Sequence, residues 1–130
     1  MRYMMLIYTT YRPATTDEMA EVATVHRALM DETERLGILY SANPLEAPAT
    51  ATTVRRQPGK VLVTDGPFAE TKEQLAGYYL LECCDLDEAV EWAARIPTAC
   101  GGGQGCVEIR AIHEAGRDVP SMSGGGRARA

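Results

Sequence analysis

Apolar and polar positions along the chain follow two rhythms, and the changes between them mark its elements. Residues 3–8 are apolar throughout, so both alternating sets, Tyr3/Met5/Ile7 and Met4/Leu6/Tyr8, predict a strand that needs cover on both faces. Helices can cover one face. A chain this short leaves the other to a partner subunit. Over 17–36, Met19, Val22, His26, Leu29, Thr33 and Leu36 recur at threes and fours, predicting a helix with one core face and His26 in the middle of its stripe. Thr15 and Glu18 stand at capping-box spacing before it, and Gly37 occupies the left-handed position that ends it.

A second strand is expected to begin at 38–40 and to be interrupted by the turn-prone Ala42-Asn43-Pro44. The threonines and valine of 50–55 favour an extended edge or outer strand, and Pro58-Gly59 turns into a further strand over 60–64. Another strand runs over 77–84. Asp85 and Glu88 cap a second helix whose buried face is Leu86, Ala89, Val90, Ala93 and Ile96, ended by Pro97, with Trp92 packing at its flank. A glycine-rich connector over 98–105 leads to the last strand, with Val107, Ile109 and Ala111 on one face and Glu108 and Arg110 on the other. That connector follows a helix and precedes a strand, the reverse of the order in loops that cradle phosphate. From residue 116 the composition cannot bury enough apolar area to order itself, giving a domain over 1–115 and a flexible tail over 116–130. The fold class that suits this order is α+β, a ferredoxin-like β-α-β-β-α-β arrangement with an antiparallel sheet and both helices on one face.

Between the strands over 60–64 and 77–84 lies Asp65-Gly66-Pro67-Phe68-Ala69-Glu70-Thr71-Lys72-Glu73. Asp-Gly-Pro is turn chemistry: Asp bonds its own downstream backbone, Gly accepts positive φ, and Pro has no N–H for a ladder. The loop is longer than a hairpin requires, and loops of that kind often carry function. Glu70, Lys72 and Glu73 could bind a polar substrate group. Equally, they could pin the loop through ion pairs while Phe68 plugs it into the core.

Composition narrows the classes. With 130 residues, 45% hydrophobic and 24% charged, the chain suits one soluble domain, and it has no apolar run near the ~20 residues that span a bilayer. No signal peptide is apparent, so a cytoplasmic protein without membrane contact is expected. The net charge is -5, and 1–115 alone holds 10 basic and 17 acidic residues, which argues against a nucleic-acid partner. Cys83, Cys84, Cys100 and Cys106 read as reduced, buried small hydrophobes, and with no Cys-x-x-Cys and only His26 and His113 no metal site is expected. Imidazole titrates near neutrality, which makes His26 the candidate acid–base group; the plainer reading is a satisfied core histidine, with Asp65 an Asx-turn residue. Tyr8, Tyr40, Tyr78 and Tyr79 offer flat walls with a hydroxyl tip, suited to an aromatic ligand or to a dimer interface.

The run Lys60-Val61-Leu62-Val63-Thr64, the nonapeptide 65–73 and Gly77-Tyr78-Tyr79-Leu80 resemble the YCII-related family, in its DGPF subgroup, and the likeness extends over nearly all but the tail. The resemblance implies a ferredoxin-like fold that pairs as a homodimer like the dimeric α+β barrels, with a cleft between the subunits. It implies an acid–base site from a helix histidine and an aspartate, by position His26 and Asp65. One branch is similar to enzymes that eliminate chloride from chlorinated hydroquinones. Members of the subgroup are also linked with extracytoplasmic-function sigma factors. The expectation is therefore a homodimer in which His26 exchanges a proton with a small cyclic or aromatic compound, without a cofactor, and Asp65 orients it. Tyr8, Phe68, Glu70, Lys72 and Tyr78 are its expected ligand contacts. The alternative is a non-enzymatic ligand-binding or regulatory module.

Overall fold

The structure, a computed structural model, describes residues 1–98 and 104–119. Regular structure runs in the order β1 (Arg2–Thr9), α1 (Thr16–Arg35), β2 (Leu39–Pro44), β3 (Thr52–Gln57), β4 (Lys60–Asp65), β5 (Gln74–Glu82), α2 (Leu86–Ala93) and β6 (Gly105–Ala111), with a short 3-10 turn at Pro48–Thr50. Four strands form one antiparallel sheet in the order β2-β5-β1-β6, and β3 and β4 form a separate two-stranded ribbon. The molecule is thus α+β, with two helices and an antiparallel sheet compatible with a ferredoxin-like arrangement.

The doubly apolar β1 takes an interior place, with β5 on one side and β6 on the other. Its register opposite β5 aligns Tyr3 with Leu81, Met5 with Tyr79 and Ile7 with Gly77. These residues share the buried face. Leu29 and Thr33 of α1 and Ala89 and Ala93 of α2 lie on that same face, closing one core around Met5 and Leu81, which are almost wholly removed from water. The opposite set of β1, Met4, Leu6 and Tyr8, is only half-buried, as are Tyr78 and Leu80 beside it.

The helix signals act as expected. Thr15 Oγ1 accepts from Glu18 N–H, the Glu18 carboxylate accepts from Thr15 N–H, and Gly37 at φ +74° lets Ile38 N–H reach back to Thr33 O. At α2 the second half of the device is shifted by one residue. Asp85 accepts from Glu88 N–H, but Glu88 caps Cys84 N–H instead of Asp85. Arg95 spans to Glu32 with bonds of 2.7 and 2.8 Å, tying the end of α2 to α1.

Several local expectations give way to tertiary pairing. Ala42-Asn43-Pro44 does not interrupt β2, because the backbone there pairs with Tyr79, Tyr78 and Gly77, and a register shift between Leu39 and Ser41 absorbs the irregularity. Leu86 and Val90 are about half exposed, since α2 rests on its alanines and Trp92. Among the cysteines Cys83 is buried, whereas Cys84 and Cys106 are exposed. Cys100 and most of the glycine-rich connector lie outside the described residues. So does the tail from residue 120, although Asp118 within its first residues pairs with Arg2 of β1.

Candidate functional site

A cavity of about 470 Å³ opens between α1 and one end of the sheet. Met19, Val22, Ala23, His26, Arg27 and Met30 line it from α1, Ile7 and Thr9 from β1, and the ends of β2 and β5 complete its wall. On the buried face of β5, Gly77 lines the cavity, and a Cβ there would lie 2.9 Å from Asn43 O of the neighbouring strand. Glycine therefore lets β2 approach while the helix above spans the gap.

His26 is half-buried at this cavity, with Nδ1 2.7 Å from the Tyr79 hydroxyl and the two rings stacked at 5.9 Å. Burial pushes the imidazole pKa below its usual value, and the same cause raises Tyr79 to about 12. At neutral pH both groups are uncharged. Either the phenol donates to Nδ1 or Nδ1–H donates to the phenol oxygen, so the Tyr79 bond and the tautomer of His26 are one choice. Nε2 makes no hydrogen bond among the described residues and is not closed off from solvent. It is the free polar atom of the pair.

Tyr78 contributes to the lining, and its hydroxyl is held by Ser41 Oγ at 3.0 Å and Asn43 Nδ2 at 2.9 Å, which draw its pKa down. The other expected residues stand elsewhere. Tyr8 contacts Glu108 at 3.4 Å on the opposite face of the sheet, with its pKa raised by burial first and then by that carboxylate. Asp65 closes β4 opposite Thr52, exposed, and is not among the cavity's residues. Glu70 and Lys72 are likewise exposed and outside the lining.

Phe68 does not plug the loop into the core: it is 77% exposed. Nor do ion pairs hold the loop among the described residues. Neutral groups do so: Gln74 Nε2 donates to Ala69 O, Thr71 O and Thr71 Oγ1, Thr53 Oγ1 donates to Gly66 O, and Thr71 Oγ1 to Glu73 O. The guanidinium of Arg55 adds a bond to Phe68 O at 3.3 Å. Backbone carbonyls of a tight loop need donors, and an amide or hydroxyl supplies them at less desolvation cost than a solvated ammonium would, whereas a carboxylate has no hydrogen to give.

Sequence reasoning passes over Tyr79 as the partner of His26 and over Arg27 altogether. The signal for Tyr79 was present in its alternation with Leu81, which puts it on the buried face. No window of sequence could align it with a helix residue. Among the described residues no group of three or more His, Cys, Asp or Glu is arranged to hold a metal ion. Among them too, no helix is long and apolar enough to cross a membrane.

Comparison with known proteins places this geometry in context. The profile of a family described as the YCII-related domain matches residues 1–115. An uncharacterized protein of Rhizobium meliloti (strain 1021) is 39% identical over 105 residues, which cover 79% of this chain and 80% of that protein.

Proposed function

The chain belongs to the YCII-related family, and from that premise we propose that it is a cofactor-independent acid–base enzyme acting on a small cyclic or aromatic compound. The observation that carries this reading is His26: an uncharged imidazole, anchored at Nδ1 by Tyr79, with Nε2 free at an apolar cavity. For Nε2 to accept a proton, Nδ1 must hold the hydrogen and donate it to the Tyr79 oxygen. That bond fixes the ring and spreads the charge of the imidazolium as it forms. The proton returns to a neighbouring carbon in an isomerisation. In an elimination the C–H electron pair forms the new double bond, the leaving group departs with its own pair, and His26 passes the proton to water.

We further place the chain in the DGPF subgroup on residues 65–73, and propose that it is a homodimer. Support for the dimer is the half-buried outer set Met4, Leu6, Tyr8 and Leu80, an apolar surface on the face away from the helices. Asp65 would join His26 only as a contribution from the second copy, since its own loop stands outside the cavity. The same applies to Phe68, Glu70 and Lys72.

The test is proton exchange. Cyclic ketones and substituted hydroquinones are incubated with the protein in D₂O, and loss of activated C–H signals is followed by NMR. Wild-type protein is expected to exchange at least one class, and His26→Gln to exchange none. Equal rates in the two proteins would end the enzymatic reading. A second reading has its own support in the exposed Val54, Val61, Val63 and Phe68, which suit a partner-binding module, for instance one contacting an extracytoplasmic-function sigma factor.

A further inference from the structure

The chain carries 18 acidic residues against 13 lysines and arginines, yet among the described residues of one chain its cavity is lined by no carboxylate and by one guanidinium, that of Arg27. Arg27 is exposed and forms no ion pair among the described residues, a state it shares with Arg35, Arg55, Arg56, Arg110 and Arg117; what sets it apart is its place at the cavity. Its place on α1 is one residue beyond His26, at the rim of a hollow whose walls are Ile7, Val22, Met30 and Pro44. Around the hollow the hydroxyls of Thr9, Tyr11 and Thr98 can donate hydrogen bonds, whereas Asn43 Nδ2 is already spent on Ser41 Oγ and the Tyr78 hydroxyl, and the Tyr79 hydroxyl on His26.

A surface that, within one chain, supplies hydrogen-bond donors and a positive charge with no fixed negative charge discriminates by sign. It rejects ammonium ligands, which would be desolvated without a counter-ion, and accepts an anion whose charge stays near the wet rim. The apolar walls ask for an apolar body. Resting on the reading of His26 given above, we propose that the substrate class is a small apolar monoanion, such as an aryl or cyclic carboxylate or an ionised phenol. Its ring fills the cavity and its acidic oxygen meets Arg27. This division of labour leaves the ring carbons, not the anionic group, beside His26. The charge of the substrate then serves for capture and orientation, and proton exchange takes place on the apolar part.

The experiment compares two probes of nearly equal shape, phenylacetate and phenylacetamide, by titration against protein labelled at the methionine methyl groups. Met19 and Met30 line the cavity and report occupancy there, whereas Met4 is outside the lining, on the other face of β1. At neutral pH phenylacetate is expected to bind about tenfold more tightly than the amide, the effect of one charge-assisted bond at a partly solvated rim. Arg27→Gln should bring the two within about twofold, and Arg27→Lys should keep most of the preference, since a charge and not a fork geometry is required. Equal or tighter binding of the amide would overturn the proposal, and so would a preference that survives Arg27→Gln. Failure of both probes to move Met19 and Met30 at about 10 mM, beyond even millimolar affinity, would overturn it as well. His26→Gln separates the two readings: it should abolish exchange chemistry and leave the carboxylate preference in place. A preference that holds where no variant ever exchanges deuterium refutes the enzyme and not the anion site.

Discussion

The β3–β4 ribbon with its 66–73 loop and the cavity beneath α1 are built on opposite terms. The ribbon carries the most distinctive residues of the chain, and nearly all its side chains meet water: Val54, Val61 and Val63 are each about 60% exposed, and Phe68 more so. It is held by its own ladder and by short bonds such as Gly66 N–H to Ala51 O at 2.7 Å. The cavity is made from ordinary residues of four elements, yet it places a neutral imidazole, a buried phenol and a guanidinium around one apolar space. Local chemistry is enough to write a turn. A site with perturbed groups needs surroundings that remove water, and these come from several parts of the chain at once.

Equal deletions in the two regions should differ most. Leu81→Ala empties a fully buried position and is expected to cost about 3 kcal/mol in chemical denaturation, whereas Val63→Ala should change stability by under about 0.5 kcal/mol at low protein concentration. A Val63→Ala loss above about 1 kcal/mol that grows with protein concentration would break the contrast and reveal the ribbon as covered by a second copy.

Next in size is Gly77→Ala. Its Cβ would press on the Asn43 carbonyl, so β2 must yield, at about 1–2 kcal/mol. The same methyl narrows the cavity, so phenylacetate affinity should fall with stability. Gly66→Ala, a positive-φ turn in open space, should cost about 1 kcal/mol from backbone strain and leave binding unchanged.

The pH response is smaller and falls only on the cavity side. Burial places the folded pKa of His26 below its unfolded value of about 6.5, so below that value the unfolded chain binds more protons. Its contribution is complete above about pH 6.5 and is lost as pH falls from there through the folded pKa. Melting temperature should therefore decline from about pH 7.5 to pH 5.5, and His26→Gln should flatten that decline. Glu18 and Glu32, with pKa values lowered by the Thr15 backbone bond and by Arg95 respectively, lose their contributions only below about pH 4.5. The two windows are separate. A decline unaltered in His26→Gln would mean that His26 is not desolvated.

The least effect is expected at Asp65. The Asp65 carboxylate stands at an exposed strand end and makes no hydrogen bond among the described residues, so Asp65→Asn should alter monomer stability by less than about 0.5 kcal/mol in thermal unfolding. If it nevertheless reduced deuterium exchange as much as His26→Gln, the loop and the cavity would have to meet across two copies, and the contrast drawn above would hold only within one chain.

Much of the fold was legible because it rests on short-range rules. The capping box at Thr15 and Glu18, the stop at Gly37 and the two-faced apolar run of β1 each occupy a few residues and act through the backbone beside them. The same rules misled where partners at a distance had a stronger claim: β2 continues through Pro44 because β5 lies alongside, and Phe68 stays in water because no element among the described residues covers it. His26 could be named as a candidate from its place on the stripe of α1, and its family likeness pointed the same way. Its partner could not be named. Tyr79 comes to His26 across 53 residues, through the register of β5 on β1 and the passage of α1 over both.

The amino-acid sequence by itself determined most of the elements and the presence of a titratable ring on an otherwise apolar helix face, since these depend on periodicity and on contacts within a few residues. Only the tertiary structure decided that the ring borders a cavity lined, among the described residues, by no carboxylate, that a buried phenol holds it, and that the nonapeptide loop stands apart. Desolvation is a property of what surrounds a group in space, and the neighbours that remove water from His26 are dispersed along the chain.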